Sequence, residues 1–161
     1  MLSHVLVPLD ESALAETALP YALKIVKPDG KITLLSVIDV SEFVTPALYP
    51  SAIGPGPVPM AGFEEEIESM RTRRTDHLKS YLQHVSADMK REGLQIDILT
   101  KSGRPSETIV ESANKLGVDA IVMSTHGRSG LSLLLLGSVT HKVLSTAGCP
   151  VFVIPAKKED K

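Results

Sequence analysis

Dense apolar runs alternate with amphipathic stretches along most of the chain, so the hydrophobic period switches repeatedly between that of a buried strand and that of a helix. HVLVPLD (His4 to Asp10) is a β-branched and leucine run stopped by proline, the pattern of a buried strand. ESALAETALPYALKIVK then places Leu14, Ala18, Tyr21 or Ala22, and Ile25 at helical spacing, with Ser12 set to cap the start. Pro20 falls inside this helix and should kink or split it. PDG (Pro28 to Gly30) predicts a turn, and KITLLSVIDV a second buried strand.

The pattern breaks over residues 42–62, where five prolines fall between Pro46 and Pro59. Proline at that density fixes φ and removes donors, so neither helix nor sheet persists. A linker here would follow only two strands and one helix, too little for an independent core. The expectation is an excursion or lid on one domain spanning residues 1–156, followed by a charged tail, residues 157–161.

Periodicity resumes at FEEEIESMRTRRTDHLKSYLQHVSADMKREG. Phe63, Ile67, Met70, Leu78, Leu82, Val85 and Met89 predict a long amphipathic helix with a solvated, charged outer face, and Gly93 is its natural C′ residue. LQIDILTKSG alternates as a third strand. RPSETIVESANKLG reads as a helix with proline in its first turn and Gly117 after its last. VDAIVMST is a fourth, apolar strand, SVTHKVLSTAG a short helix from Ser138, and CPVFVIP a fifth strand. Strands alternating with helices predict an α/β fold, a parallel sheet covered on both faces.

Composition narrows the class. The chain has 161 residues, 43% apolar and 22% charged, and a formal net charge of −2. That balance lacks the basic footprint of a nucleic-acid binder, and aromatics at 4% with no tryptophan offer no stacking platform. One cysteine, Cys149, excludes an internal disulfide and a cysteine-based zinc cluster. MLSHVLVPLDES does not have a signal peptide's basic start, and no run nears the roughly 18 apolar residues of a membrane span. The expectation is a soluble, cytoplasmic domain.

Candidate chemistry concentrates in VMSTHGRSGLSLLLLGSVTHKV, Val122 to Val143. The connection it makes is longer than the two to six residues usual between strand and helix, and it is bounded by glycines. Ligands of open parallel sheets bind beyond the carboxyl ends of the strands, where the winding switches. If strands one and four flank the switch, Pro8 to Asp10 face Ser124 to Gly127 across one crevice. Gly127, Gly130 and Gly137 permit close backbone approach, and Gly137-Ser138 opens a helix whose free N–H groups favour phosphate. The chain has no G-x-x-x-x-G-K-[ST], which argues against a P-loop ATPase, and the flanks of Ser129 do not form an esterase elbow.

At these residues the chain resembles the ATP-binding branch of the universal stress protein family. The family motif is Gly, two residues, Gly, nine residues, then Gly followed by Ser, Thr or Asn. Gly127 stands at the second glycine, Arg128 to Leu136 are the nine residues, and Gly137-Ser138 completes the motif. Ser124 replaces the first glycine, a small side chain able to shift the ribose or tilt the loop, so ATP, ADP, AMP and a cyclic nucleotide all stay open. HVLVPLDES, SGRPSETIVESANKLGVDAIVMSTHGRSG and GCPVFVIP carry the rest of the resemblance.

The resemblance implies an open, Rossmann-like parallel sheet of five strands in the order 3-2-1-4-5. It also implies a nucleotide site. Pro8, Leu9 and Asp10 with Val37 would line the adenine and ribose end, Val37 and Ile38 offering main-chain edges. Met123 and Ser124, with Thr125, would lie under the nucleoside, and His126 would contact ligand through its main chain. Gly127, Arg128, Gly130, Gly137, Ser138, Val139 and Thr140 would surround the phosphates, with Mg²⁺ bridging phosphate oxygens. The family's pairing through its last strand implies a homodimer seam along Val151, Phe152, Val153 and Ile154. Three functions compete: a nucleotide-binding regulator, a slow ATPase, and an interaction protein with an empty pocket. No catalytic residue stands out.

Overall fold

The computed structural model describes residues 1–39, 41, 63–89, 91–125 and 136–155. The proline-rich stretch and the charged tail therefore lie outside the described residues. Five strands, β1 (Leu2–Pro8), β2 (Val26–Asp39), β3 (Gln95–Gly103), β4 (Ala120–Ser124) and β5 (Val151–Ile154), form one parallel sheet in the order β3-β2-β1-β4-β5. The expected α/β class, sheet and strand order are thus those observed. Helices α1 (Ala13–Glu16), α2 (Leu19–Ile25) and α3 (Phe63–Asp88) cover one face, and α4 (Pro105–Leu116) and α5 (Ser138–Thr146) the other.

Strand alternation distributes the core between these layers. Val5, Val7, Ile32, Leu34, Ala120 and Val122 pack with Ala15, Ala18, Ala22 and Leu82 of the first helix layer. Leu6, Leu35, Ile121 and Met123 point the other way, against Ile109, Ala113 and Val143. Burying each of the largest of these side chains contributes about 1.5–3 kcal/mol, so both layers are held chiefly by this alternation.

Local corrections have local causes. Pro20 splits the first helix: α1 stops at Glu16, and α2 restarts with the proline in its first turn, where the missing N–H costs nothing. The buried positions there are Ala15, Ala18 and Ala22, while Tyr21 is exposed and Leu14 and Ile25 only half-buried. Small residues let this pair of short helices lie close to the sheet. Pro28 to Gly30 is no isolated turn but part of β2, where the partner shifts from Leu2↔Val26 to His4↔Lys31. Gly30 is needed there, since a Cβ would lie 2.7 Å from Val26 Cγ2 and 3.0 Å from the Ser3 carbonyl. In α3, Leu78 and Leu82 are buried but Met70 is 39% exposed. Gly93 is not adjacent to the helix end; it turns the chain into β3 at φ 80°. Gly117, by contrast, caps α4 in the left-handed region as expected.

Candidate functional site

From β1 the chain winds outward through β2 and β3, then returns past β1 to β4 and β5, so its direction switches between β1 and β4. Those strands pair through Val5↔Ala120 and Leu6↔Ile121, and their carboxyl ends lie beyond, at Pro8 and Ser124. This is the crevice in which open parallel sheets bind ligands.

Alternation decides which expected lining residues can meet. Val37 and Met123 belong to the apolar cluster on the α4 and α5 side, and Val139 from α5 joins them. Ile38 does not; it is buried on the opposite face against Leu78 and Ile67 of α3. Leu9 is likewise in the opposite core. Its N–H donates to the Leu35 carbonyl at 2.8 Å and its carbonyl accepts the Ser36 hydroxyl at 2.8 Å, so both backbone groups staple the end of β1 to β2. Leu9 thus fixes the end of β1 between Pro8 and Asp10.

The connection from β4 to α5 is gathered at its base. Thr125 N–H donates to the Ile154 carbonyl at 2.9 Å, and Gly137 N–H donates back to the Thr125 carbonyl at 2.8 Å. The buried Thr140 hydroxyl donates to the Ser124 carbonyl at 3.1 Å. That hydroxyl holds the neck together. Gly137 is the N-cap of α5 and supplies no side-chain cap, and the first backbone bond of the helix runs from His141 N–H to the Gly137 carbonyl at 2.9 Å. Helix geometry therefore gives the N–H groups of Ser138, Val139 and Thr140 no intrahelical acceptor, at the positive end of the helix dipole. An anion fits such a place. His126, Gly127, Arg128 and Gly130 lie outside the described residues.

Across the crevice, the turn after β1 is tightly organised. Ser12 donates to Asp10 Oδ1 through its N–H (3.2 Å) and its hydroxyl (2.6 Å), and its Oγ accepts Ala15 N–H at 3.0 Å. Asp10 and Ser12 therefore form one capping unit just beyond the end of β1. Between them Glu11 takes φ 68°, and its carboxylate reaches Arg74 and His77 of α3, each at 2.6 Å. Burial pushes this carboxyl up, but the Arg74 and His77 contacts outweigh it and hold Glu11 below its ordinary value. Nearby, Tyr81 donates its hydroxyl to Glu16 Oε1 at 2.9 Å; burial first, then that carboxylate, push the phenol far above its ordinary range. No sequence pattern singled out Glu11, Arg74, Ser36 or His77. The only available signal was a cationic pair three apart on one helix, too common to single out.

β5 lies at the sheet edge and pairs with β4, with Phe152 42% exposed and Ile154 buried. Among the described residues, no three His, Cys, Asp or Glu side chains gather to hold a metal, and no helix is long and apolar enough to cross a membrane.

The sequence matches the universal stress protein family over residues 1–155. It is 31% identical to universal stress protein MJ0577 of Methanocaldococcus jannaschii, covering 98% of this chain and 97% of that one. The solved structure of hypothetical protein MJ0577 superimposes with a TM-score of 0.81 at 28% identity, covering 98% of each chain. A universal stress protein family member from Arabidopsis thaliana with AMP bound shares the fold at a TM-score of 0.60 and 20% identity, over 98% of this chain and 94% of that one. A universal stress protein in complex with cAMP does so at 0.55 and 20% identity, over 96% and 97%.

Proposed function

The chain belongs to the universal stress protein family, and from that premise we propose that it binds an adenine nucleotide at the carboxyl ends of β1 and β4 and acts as a regulatory nucleotide sensor. The observation that carries this reading is the neck formed by Ser124, Thr125, Gly137 and Thr140, which sets the open first turn of α5 at the sheet's switch point. Backbone N–H groups of Ser138, Val139 and Thr140 suit phosphate oxygens, and Pro8, Val37 and Met123 suit the nucleoside. The AMP and cAMP held by two proteins of the same fold favour adenine as the base.

ATP is the ligand that the spacing of Gly127, Gly137 and Ser138 favours. The described residues bring no carboxylate cluster to the site. They fit an Mg²⁺ ion held chiefly by phosphate oxygens and water, and that ion would screen phosphate charge. Hydrolysis is expected to be slow at most, because the chain lacks the P-loop lysine that stabilises the transferred phosphoryl group. A homodimer through Val151 to Ile154 would cover the β5 edge, and nucleotide occupancy would be read out through that assembly.

Calorimetric titration of nucleotide-free protein with ATP, ADP and AMP, with and without Mg²⁺, tests the reading. Saturable binding that Gly137→Trp abolishes supports it. Heat and thermal stabilisation absent with all three nucleotides overturn it. Sedimentation of Phe152→Lys tests the seam: a dimer that becomes monomeric supports it, and an unchanged dimer places the contact elsewhere.

A further inference from the structure

We infer that Glu11 is a positioning residue, which sets the β1–α1 turn for nucleotide by anchoring it to α3 through Arg74 and His77; the inference rests on the nucleotide reading above. Glu11 is a non-glycine residue in the left-handed region, φ 68°, a conformation that persists only where the surroundings enforce it. The enforcing contacts are visible. The Glu11 side chain is 17% exposed, and its two oxygens go to different partners, Oε2 to Arg74 and Oε1 to His77. The Oε2–Arg74 contact is a charge pairing without hydrogen-bond alignment and the Oε1–His77 contact lies at the surface, yet together they restrain the carboxylate and the peptide that carries it.

That peptide joins the two halves of the Asp10–Ser12 unit. The Ser12 hydroxyl sits 2.6 Å from Asp10 Oδ1, so rotation of the backbone at Glu11 would pull the two apart or carry both away from the crevice. A second tie, Tyr81 to Glu16 at 2.9 Å, fixes α1 against the same helix. The charged and titratable groups around the anchor are Asp10 and Glu16 from the β1–α1 side and Arg74, His77 and Tyr81 from α3. A merely structural anchor would have no need of a strained residue, because glycine adopts this φ freely. A strained residue gripped at both oxygens is what holding the neighbouring Asp10 in one orientation requires, and such preorganisation appears as affinity.

Position 11 therefore separates stability from binding. Glu11→Gly relieves the backbone while removing the anchor. Relief of backbone strain offsets the lost ion pairs, so its unfolding midpoint is expected close to that of the parent chain, while ATP affinity falls by about tenfold. Arg74→Ala should weaken ATP comparably, and Arg74→Lys, which keeps a cation at the carboxylate, should recover most of the loss. The full chain and its variants are compared by ATP calorimetry and by thermal unfolding. Glu11→Gly affinity within twofold of the parent overturns the inference while leaving the nucleotide reading intact, as does an Arg74→Lys variant no better than Arg74→Ala. A parent chain that binds no adenine nucleotide overturns both.

Discussion

The two ends of the sheet use polar groups in opposite ways. At the amino end they close on one another. Asp119 accepts the N–H groups of Ser3 (2.6 Å) and His4 (2.9 Å), His4 Nε2 meets Thr33 Oγ1 at 2.8 Å, and Lys31 pairs with Asp97 at 2.5 Å. At the carboxyl end side chains close the turn after β1, Asp10 with Ser12 and Glu11 with Arg74 and His77, but the neck of Thr125, Gly137 and Ser124 rests chiefly on backbone, and α5 starts there without a side-chain cap. The difference follows from strand direction. In a parallel sheet each helix begins where a strand ends, so helix N-termini and their unsatisfied N–H groups collect at one end only. The amino end carries no such helix starts.

The comparison breaks most sharply at Gly30. Gly30→Val forces a side chain into Val26 and the Ser3 carbonyl, and overpacking of this kind costs about 1–3 kcal/mol. Urea denaturation should show that loss, while the folded fraction binds nucleotide as the parent does. A parallel loss of affinity would mean that the two ends are coupled through β2.

Thr140→Val carries the same question to the other end. It removes the Thr140 donor from the Ser124 carbonyl in a buried setting, for about 1–2 kcal/mol, and is expected to weaken nucleotide binding as well. Stability lost with affinity intact would show that the neck is only a splice.

Acid should act on the amino end first. Burial, reinforced by Lys31, holds the His4 imidazole below 6.5, so the unfolded chain protonates before the folded one and stability falls as pH drops below about 7 toward the lowered folded value. A second decline follows at lower pH. Lys31 holds Asp97 below 3.8, the His4 and Ser3 N–H groups hold Asp119 below 3.8, and Glu11, with Arg74 and His77 overcoming its burial, lies below 4.5. These carboxylates stabilise the folded chain above those values and cease to as pH falls through their lowered ones. His4→Gln should flatten the first decline in pH-dependent thermal melts and leave the second.

The smallest effect lies between the two ends. Ser112 is fully buried on α4, and its Oγ has no hydrogen-bond partner among the described residues. Ser112→Ala should raise stability by up to about 1 kcal/mol in the same denaturation assay and leave affinity unchanged.

Legibility in the sequence followed the range of the physics. The parallel sheet, the split at Pro20 and the cap at Gly117 were readable because strand period, proline's missing N–H and left-handed glycine act within a few residues. The same local reasoning misjudged Pro28 to Gly30, because a turn signal there was overridden by pairing with β1, and misjudged Met70, because periodicity does not say how far along a helix the core extends. Within the candidate site, the glycine spacing singled out the connection after β4, while nothing local told that the Val37 side chain faces α4 and α5 and that of Ile38 faces α3.

Hydrophobic period, prolines and glycines thus determined, from the sequence alone, the element order and the fold class, and they singled out the connection after β4 as the candidate site, all of them properties of neighbours along the chain. Tertiary structure decided which face each residue took, which hydroxyl closed the neck, and that Glu11 met Arg74 and His77 across more than sixty positions. Those contacts depend on packing α3 beside the turn after β1, and no local pattern encodes the distance between them.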